Sequence, residues 1–178
     1  EGAMAVSGGL VSTAGEITIG DEGVGTWTQT GGTASAAGSV YLARGGAAAS
    51  GTLAVTGGAF AQSGTIGALV VGEQGQGLLT LSGSGRVTVA GDGGLVLSGG
   101  TTGVGAVALG GGTLEVTRVQ RGSGLGSFAF NGGTLRAAAA ANPAFMSGLD
   151  VADVQSGGAR IDSRSEEHTS ELQSRQYL

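Results

Sequence analysis

The 178-residue sequence contains no cysteine and no lysine, and only one proline, one histidine and one tryptophan. Without cysteine there is no disulfide, no thiolate nucleophile and no cysteine-type zinc site, although this alone does not fix the compartment. Without lysine, Schiff-base chemistry and the Walker phosphate loop are excluded. At a net charge of −5, a phosphate-neutralising surface is hard to build, so nucleic acid is not an expected partner. No apolar run approaches the roughly 20 residues of a membrane span. Glu1 opens neither a chain nor a signal peptide, so the stretch is expected to be internal to a longer protein. What is abundant is glycine, at 40 residues about three times its usual share, in a chain with no Gly-X-Y period. With a mean hydropathy of +0.23 the chain is expected to fold, with frequent turns.

Internal repetition organises it. The stretches MAVSGGLVS (4–12), WTQTGGTAS (27–35), LAVTGGAFA (53–61), LTLSGSGRV (79–87), VALGGGTLE (107–115) and FAFNGGTLR (128–136) share an apolar-x-apolar-x-Gly-Gly plan. They start 23, 26, 26, 28 and 21 residues apart. A period of this size signals a stacked repeat. Alternation within each unit predicts a strand, since successive side chains point to opposite faces. Met4/Val6, Trp27/Gln29, Leu53/Val55, Leu79/Leu81, Val107/Leu109 and Phe128/Phe130 form one inward column, in which Gln29 is the only polar member. After the glycine corner a second column follows: Val11, Ala34, Phe60, Val87, Leu114 and Leu135. Val87 stands one residue late, which a β-bulge would absorb. A third short strand is expected at 17–20, 40–43, 69–72 and 95–98. The reading is an all-β solenoid of about six coils, with three short strands per coil. Parallel stacking satisfies the backbone of strands too short to persist alone. Cut ends would leave unpaired edges, so end-to-end self-association is expected.

The units GVGTWTQTGGTAS and GQGLLTLSGSGRVTVAG resemble the autotransporter-associated β-strand repeat proteins, and so, above all, does the block FAFNGGTLRAAAAANPAFMSGLDVADVQSGGARIDS (128–163). These are large bacterial secreted or surface proteins related to autotransporter passengers. The resemblance covers residues 1–163 and implies export and a right-handed parallel β-helix. It transfers no catalytic residue. The pattern stops at Ser163. Residues Arg164 to Ser174 are similar, without a mismatch, to the translation of a sequencing-adapter DNA. Residues 164–178 are therefore expected to be foreign to the protein and disordered, and His168 is set aside with them.

The remaining body has ten carboxylates and six arginines but no histidine. Asp21 and Glu22 share a GDEGVG turn, Glu73 lies in GEQGQG, and Asp92 in AGDGG. Stacked turns could bring such acids together as a glycosidase or lyase pair, or as a calcium site. The plainer reading is solvated turn residues, because Arg44 occupies the intervening turn. Trp27 could offer a sugar platform but stands at an inward position, so core packing is expected. Thr26, Thr28 and Thr30 face outward, but their counterparts are not regularly threonine, so no ordered hydroxyl grid is expected. The run 136–145, ended by Asn142-Pro143, reads as a loop interrupting a coil.

No catalytic, cofactor-binding or metal-ligating residue is assigned. The functional expectation is a noncatalytic structural or adhesive passenger segment at the bacterial surface or outside the cell, with a polysaccharide or other surface ligand as partner. The competing class is a carbohydrate-active β-helix enzyme.

Overall fold

A computed structural model describes residues 1–163. The described residues form twenty strands and no helix. The chain enters with β1 (Gly2–Val6) and β2 (Leu10–Thr13). Six complete coils of three strands follow. They are β3 (Ile17–Ile19), β4 (Val24–Gln29), β5 (Thr33–Ala36); β6 (Val40–Leu42), β7 (Ser50–Val55), β8 (Ala59–Gln62); and β9 (Ala68–Val71), β10 (Gln76–Leu81), β11 (Arg86–Val89). The last three are β12 (Gly94–Leu97), β13 (Val104–Leu109), β14 (Thr113–Val116); β15 (Val119–Arg121), β16 (Leu125–Phe130), β17 (Thr134–Ala137); and β18 (Met146–Ser147), β19 (Val151–Val154), β20 (Arg160–Asp162).

Every strand pairs in parallel with its equivalent one coil on, giving three sheets: β1-β4-β7-β10-β13-β16-β19, β2-β5-β8-β11-β14-β17-β20, and β3-β6-β9-β12-β15-β18. At about 4.8 Å per strand, seven strands make a stack about 29 Å long. The protein is a β-solenoid.

The register follows the apolar columns. Met4, Trp27, Leu53, Leu79, Val107 and Phe128 are paired in succession, as are Val6, Gln29, Val55, Leu81, Leu109 and Phe130. In the second sheet Val11, Ala34, Phe60, Val87, Leu114 and Leu135 do the same. A slip of one residue would turn each set outward, so burial fixes the register. Leu53, Val55, Leu79, Leu81, Val87, Leu109, Leu114 and Leu135 are buried to 1% exposure or less. Trp27 packs in this core, its ring edge-on to Phe60 at 5.5 Å between centroids.

Polar atoms inside are satisfied. Gln29 donates Nε2 to the carbonyls of Ala59 (2.9 Å) and Gly32 (3.3 Å), and its Oε1 accepts from Trp27 Nε1 (3.4 Å). Gln62, also buried, accepts from the Gly91 N–H and donates to Gly64, tying one corner to the next.

One glycine column has a steric cause. The second residue of β4, β7, β10 and β13 (Gly25, Gly51, Gly77 and Gly105) lies against the backbone of the corner that leads into that strand. A Cβ on Gly77 would stand 2.0 Å from the Gly72 nitrogen. At the start of the same corners the chain is left-handed, with φ of 72° at Gly20 and 77° at Gly72, and 57° and 64° at Ala43 and Ser98. The two side chains are tolerated there at some backbone strain.

Three details depart from the sequence reading. No bulge precedes Val87: β11 pairs without interruption from Arg86↔Ala59 to Val89↔Gln62. The extra residue is taken up by the turn Ser82–Gly85, closed by a 3.1 Å bond from the Gly85 N–H to the Ser82 carbonyl. A longer corner leaves the ladder intact, whereas a bulge would leave backbone groups unpaired. Second, the third sheet also contains β15 and β18. Third, a further coil carries β19 and β20, with Ala152 and Val154 continuing the first columns and Ile161 the second. The segment after β17 is a loop, as expected, with Asn142 Oδ1 accepting from the Ala144 N–H around Pro143. The expectation for residues 164–178 lies outside the described residues.

Candidate functional site

The acidic turns singled out in the sequence fall on two corners of the coil. Asp21 and Glu22 lie between β3 and β4, Arg44 between β6 and β7, and Glu73 between β9 and β10, so these four stack on one corner of three successive coils. Backbone bonds hold the stack: Arg44 N–H to the Gly20 carbonyl (3.2 Å), Gly45 N–H to Asp21 (2.6 Å) and Gln74 N–H to Ala43 (3.0 Å). Asp92 is elsewhere, exposed on the corner between β11 and β12, its N–H bonded to the Thr65 carbonyl at 3.1 Å.

Within the stacked corner the guanidinium organises the charge. Arg44 Nη1 donates to Glu16 Oε2 at 2.8 Å, and its Cζ sits 4.2 Å from the centroid of the Tyr41 ring. The hydrogen bond to Glu16 raises the Arg44 pKa above that of a free guanidinium; partial desolvation opposes this, while the charges of Glu16, Tyr41 and Glu73 add to it. Both partners of the pair are close to half exposed, so water screens the pair and its contribution to stability is small. Asp21 and Glu22 are exposed and Glu73 half-buried.

A shallow cavity of about 410 Å³ opens at the N-terminal end of the stack, lined by Met4, Ile17, Ile19, Asp21, Gly25 and Trp27 among others. Neither Arg44 nor Glu73 lines it. It lies beside β1 and β3, where the third sheet has no strand preceding β1. Its walls are thus the end of the core. Among the described residues no three His, Cys, Asp or Glu side chains gather as a metal site.

Sequence reasoning missed Glu16 and Tyr41, which complete the Arg44 cluster. The signal was present: Glu16 precedes Arg44 by 28 residues, about one coil. The same step joins Arg86 to Glu115, Arg121 to Asp150 (2.9 Å) and Arg136 to Asp162 (2.8 Å), with separations of 29, 29 and 26 residues. All four ion pairs seen among the described residues therefore bridge adjacent coils. Thr26 and Thr28 face outward and are half-buried, beside Thr52 and Ala54 of the next coil.

Comparison of the chain with known protein families, with curated proteins and with solved structures finds no match.

Proposed function

We propose that the chain is a noncatalytic structural or adhesive segment of a bacterial secreted or cell-surface protein of the autotransporter-passenger kind. The observation that carries this reading is the direction of the side-chain interactions: ion pairs and buried glutamines alike run from one coil to the next. Such links hold a rod together without converging on a substrate. The resemblance of residues 128–163 to the β-strand repeat proteins adds the location, outside the cell, and a polysaccharide or other surface ligand as partner.

The test is an epitope inserted between Gly45 and Gly46, in an exposed corner, in the source bacterium. Antibody should reach it on intact cells. Labelling that appears only after lysis would end the surface reading.

A second reading, a carbohydrate-active enzyme, draws on the stacking of Asp21, Glu22, Arg44 and Glu73. It requires the purified chain to release reducing ends or unsaturated products from acidic polysaccharide. It also requires this activity to vanish in the double variant Glu22→Gln, Glu73→Gln. The structural reading requires binding at most, without product.

A further inference from the structure

The three outer faces of the solenoid differ in chemistry. The second sheet presents Arg86, Glu115, Arg136, Arg160 and Asp162, and the third is flanked by Glu16, Arg44 and Arg121. The first sheet is different. Its strands β4, β7, β10, β13 and β16 each offer three outward positions, and none of the fifteen is charged. They are Ser, Thr, Ala and Gln, interrupted by Val24, Leu78, Val104 and Leu125, which are 37 to 60% exposed. Val151 in β19 extends the same face at 53% exposure. Five of the ten exposed large apolar side chains among the described residues thus stand on one flat face. Two of the three columns across it contain all of them.

We propose that this face docks on the same face of a second copy, across a two-fold axis lying in the plane of contact. Charge permits a like partner here: the chain carries −5, but among the described residues only Asp153, at the end strand β19 and in register with Ala129, adds a charge to the outward positions of this sheet, and the ion pairs lie on the other faces and corners. Area is sufficient. Seven strands at about 4.8 Å and six residues at about 3.3 Å span about 29 by 20 Å, or roughly 600 Å² per copy. Two such faces bury about 1,200 Å², the lower end of specific interfaces, which suits a reversible dimer.

The positions of the apolar residues fit the symmetry. Leu78 lies in the middle outward column of β10, and Val24 and Leu125 share the neighbouring column two strands before and two strands after it. A two-fold through Leu78 sets it against Leu78 of the second copy, where an anchoring contact belongs. With the rods antiparallel, Val24 on β4 meets Leu125 on β16, since each is two strands from β10 on opposite sides. The small residues between them let the two sheets approach the spacing of about 10 Å usual for stacked sheets.

The absence of cysteine makes the test clean. The full chain is followed by sedimentation velocity from about 1 to about 500 µM, the range of a weak dimer. Assembly should saturate at two copies. Leu78→Glu, with its far-UV circular dichroism unchanged, should move the half-assembly concentration up by at least about tenfold. In parallel, Leu78→Cys should be coupled to itself by a short bismaleimide, and a mixture of Val24→Cys and Leu125→Cys should give the mixed product. Thr88→Cys, outward on the second sheet, should not couple. The cross-linking arm stands if Leu78→Glu fails to fold. Monomer throughout, open-ended growth from the strand edges, or equal coupling at positions 78 and 88 would each overturn the proposal.

Discussion

Replacing Leu79 probes the core where neighbouring coils can least adjust. Its side chain is fully buried in β10, stacked between Leu53 and Val107, with the backbone on both sides fixed by parallel ladders. Leu79→Ala removes three carbons, worth about 2.4 kcal/mol in transfer at ~0.8 kcal/mol each. The strand spacing prevents the column from collapsing into the gap, so a cavity term adds to this and the total should be about 3–4 kcal/mol. Leu79→Asp would place an unpaired carboxylate in the same position and should abolish folding. Asp92→Ala alters an exposed corner and should change stability by less than about 0.5 kcal/mol. Urea unfolding can be read by far-UV circular dichroism and by the fluorescence of Trp27, the sole tryptophan, two coils away and 5% exposed. In a stack with nearest-neighbour coupling both signals should shift to lower urea in Leu79→Ala. A cost below about 1 kcal/mol for Leu79→Ala, or one equal to that of Asp92→Ala, would refute the column assignment.

Gln29→Leu should cost about 2–4 kcal/mol despite raising hydrophobicity, because the carbonyl of Ala59 and Trp27 Nε1 lose a buried partner; urea midpoints check this. Gly77→Ala should cost about 3 kcal/mol or more, since its Cβ would overlap the Gly72 nitrogen; a thermal midpoint within a degree or two of the parent would contradict the corner geometry. The guanidinium of Arg44 has its pKa raised on folding, so its contribution is fully present below the unfolded value and lost only as pH rises through the higher folded one. The difference in thermal midpoint between the parent and Arg44→Gln should therefore be the same at about pH 7 and about pH 9.

The sequence revealed the first sheet most clearly, because its six-residue strands contain two inward apolar positions each and are followed by glycine corners. Trp27, Leu53, Leu79, Val107 and Phe128 could be aligned by spacing alone. β15 was hidden by its composition: only Val119 is buried, and Arg121 turns out of the column to pair with Asp150. β19 was hidden for a different reason, since Val151 and Val154 fall three apart and break the alternation, leaving small Ala152 in the inward place. Corner stacking was only half legible. Register placed Asp21, Arg44 and Glu73 on equivalent turns, but the partner of Arg44, Glu16, lies on another corner and became visible only when coil was set on coil. Asp92 resembled the other acids in its Gly-rich surroundings. Its corner, set by the strand that precedes it, separates it from them.

The parallel in-register stack can be tested with pairs of spin labels on outward positions of the first sheet, using cysteines introduced into a chain that has none. Ala54, Thr80 and Ala108 lie in one column on β7, β10 and β13. Backbone separations of about 5 Å for the pair 54/80 and about 10 Å for 54/108 are expected, with dipolar broadening much stronger in the first. Weak broadening for 54/80, or equal broadening for the two pairs, would contradict the solenoid.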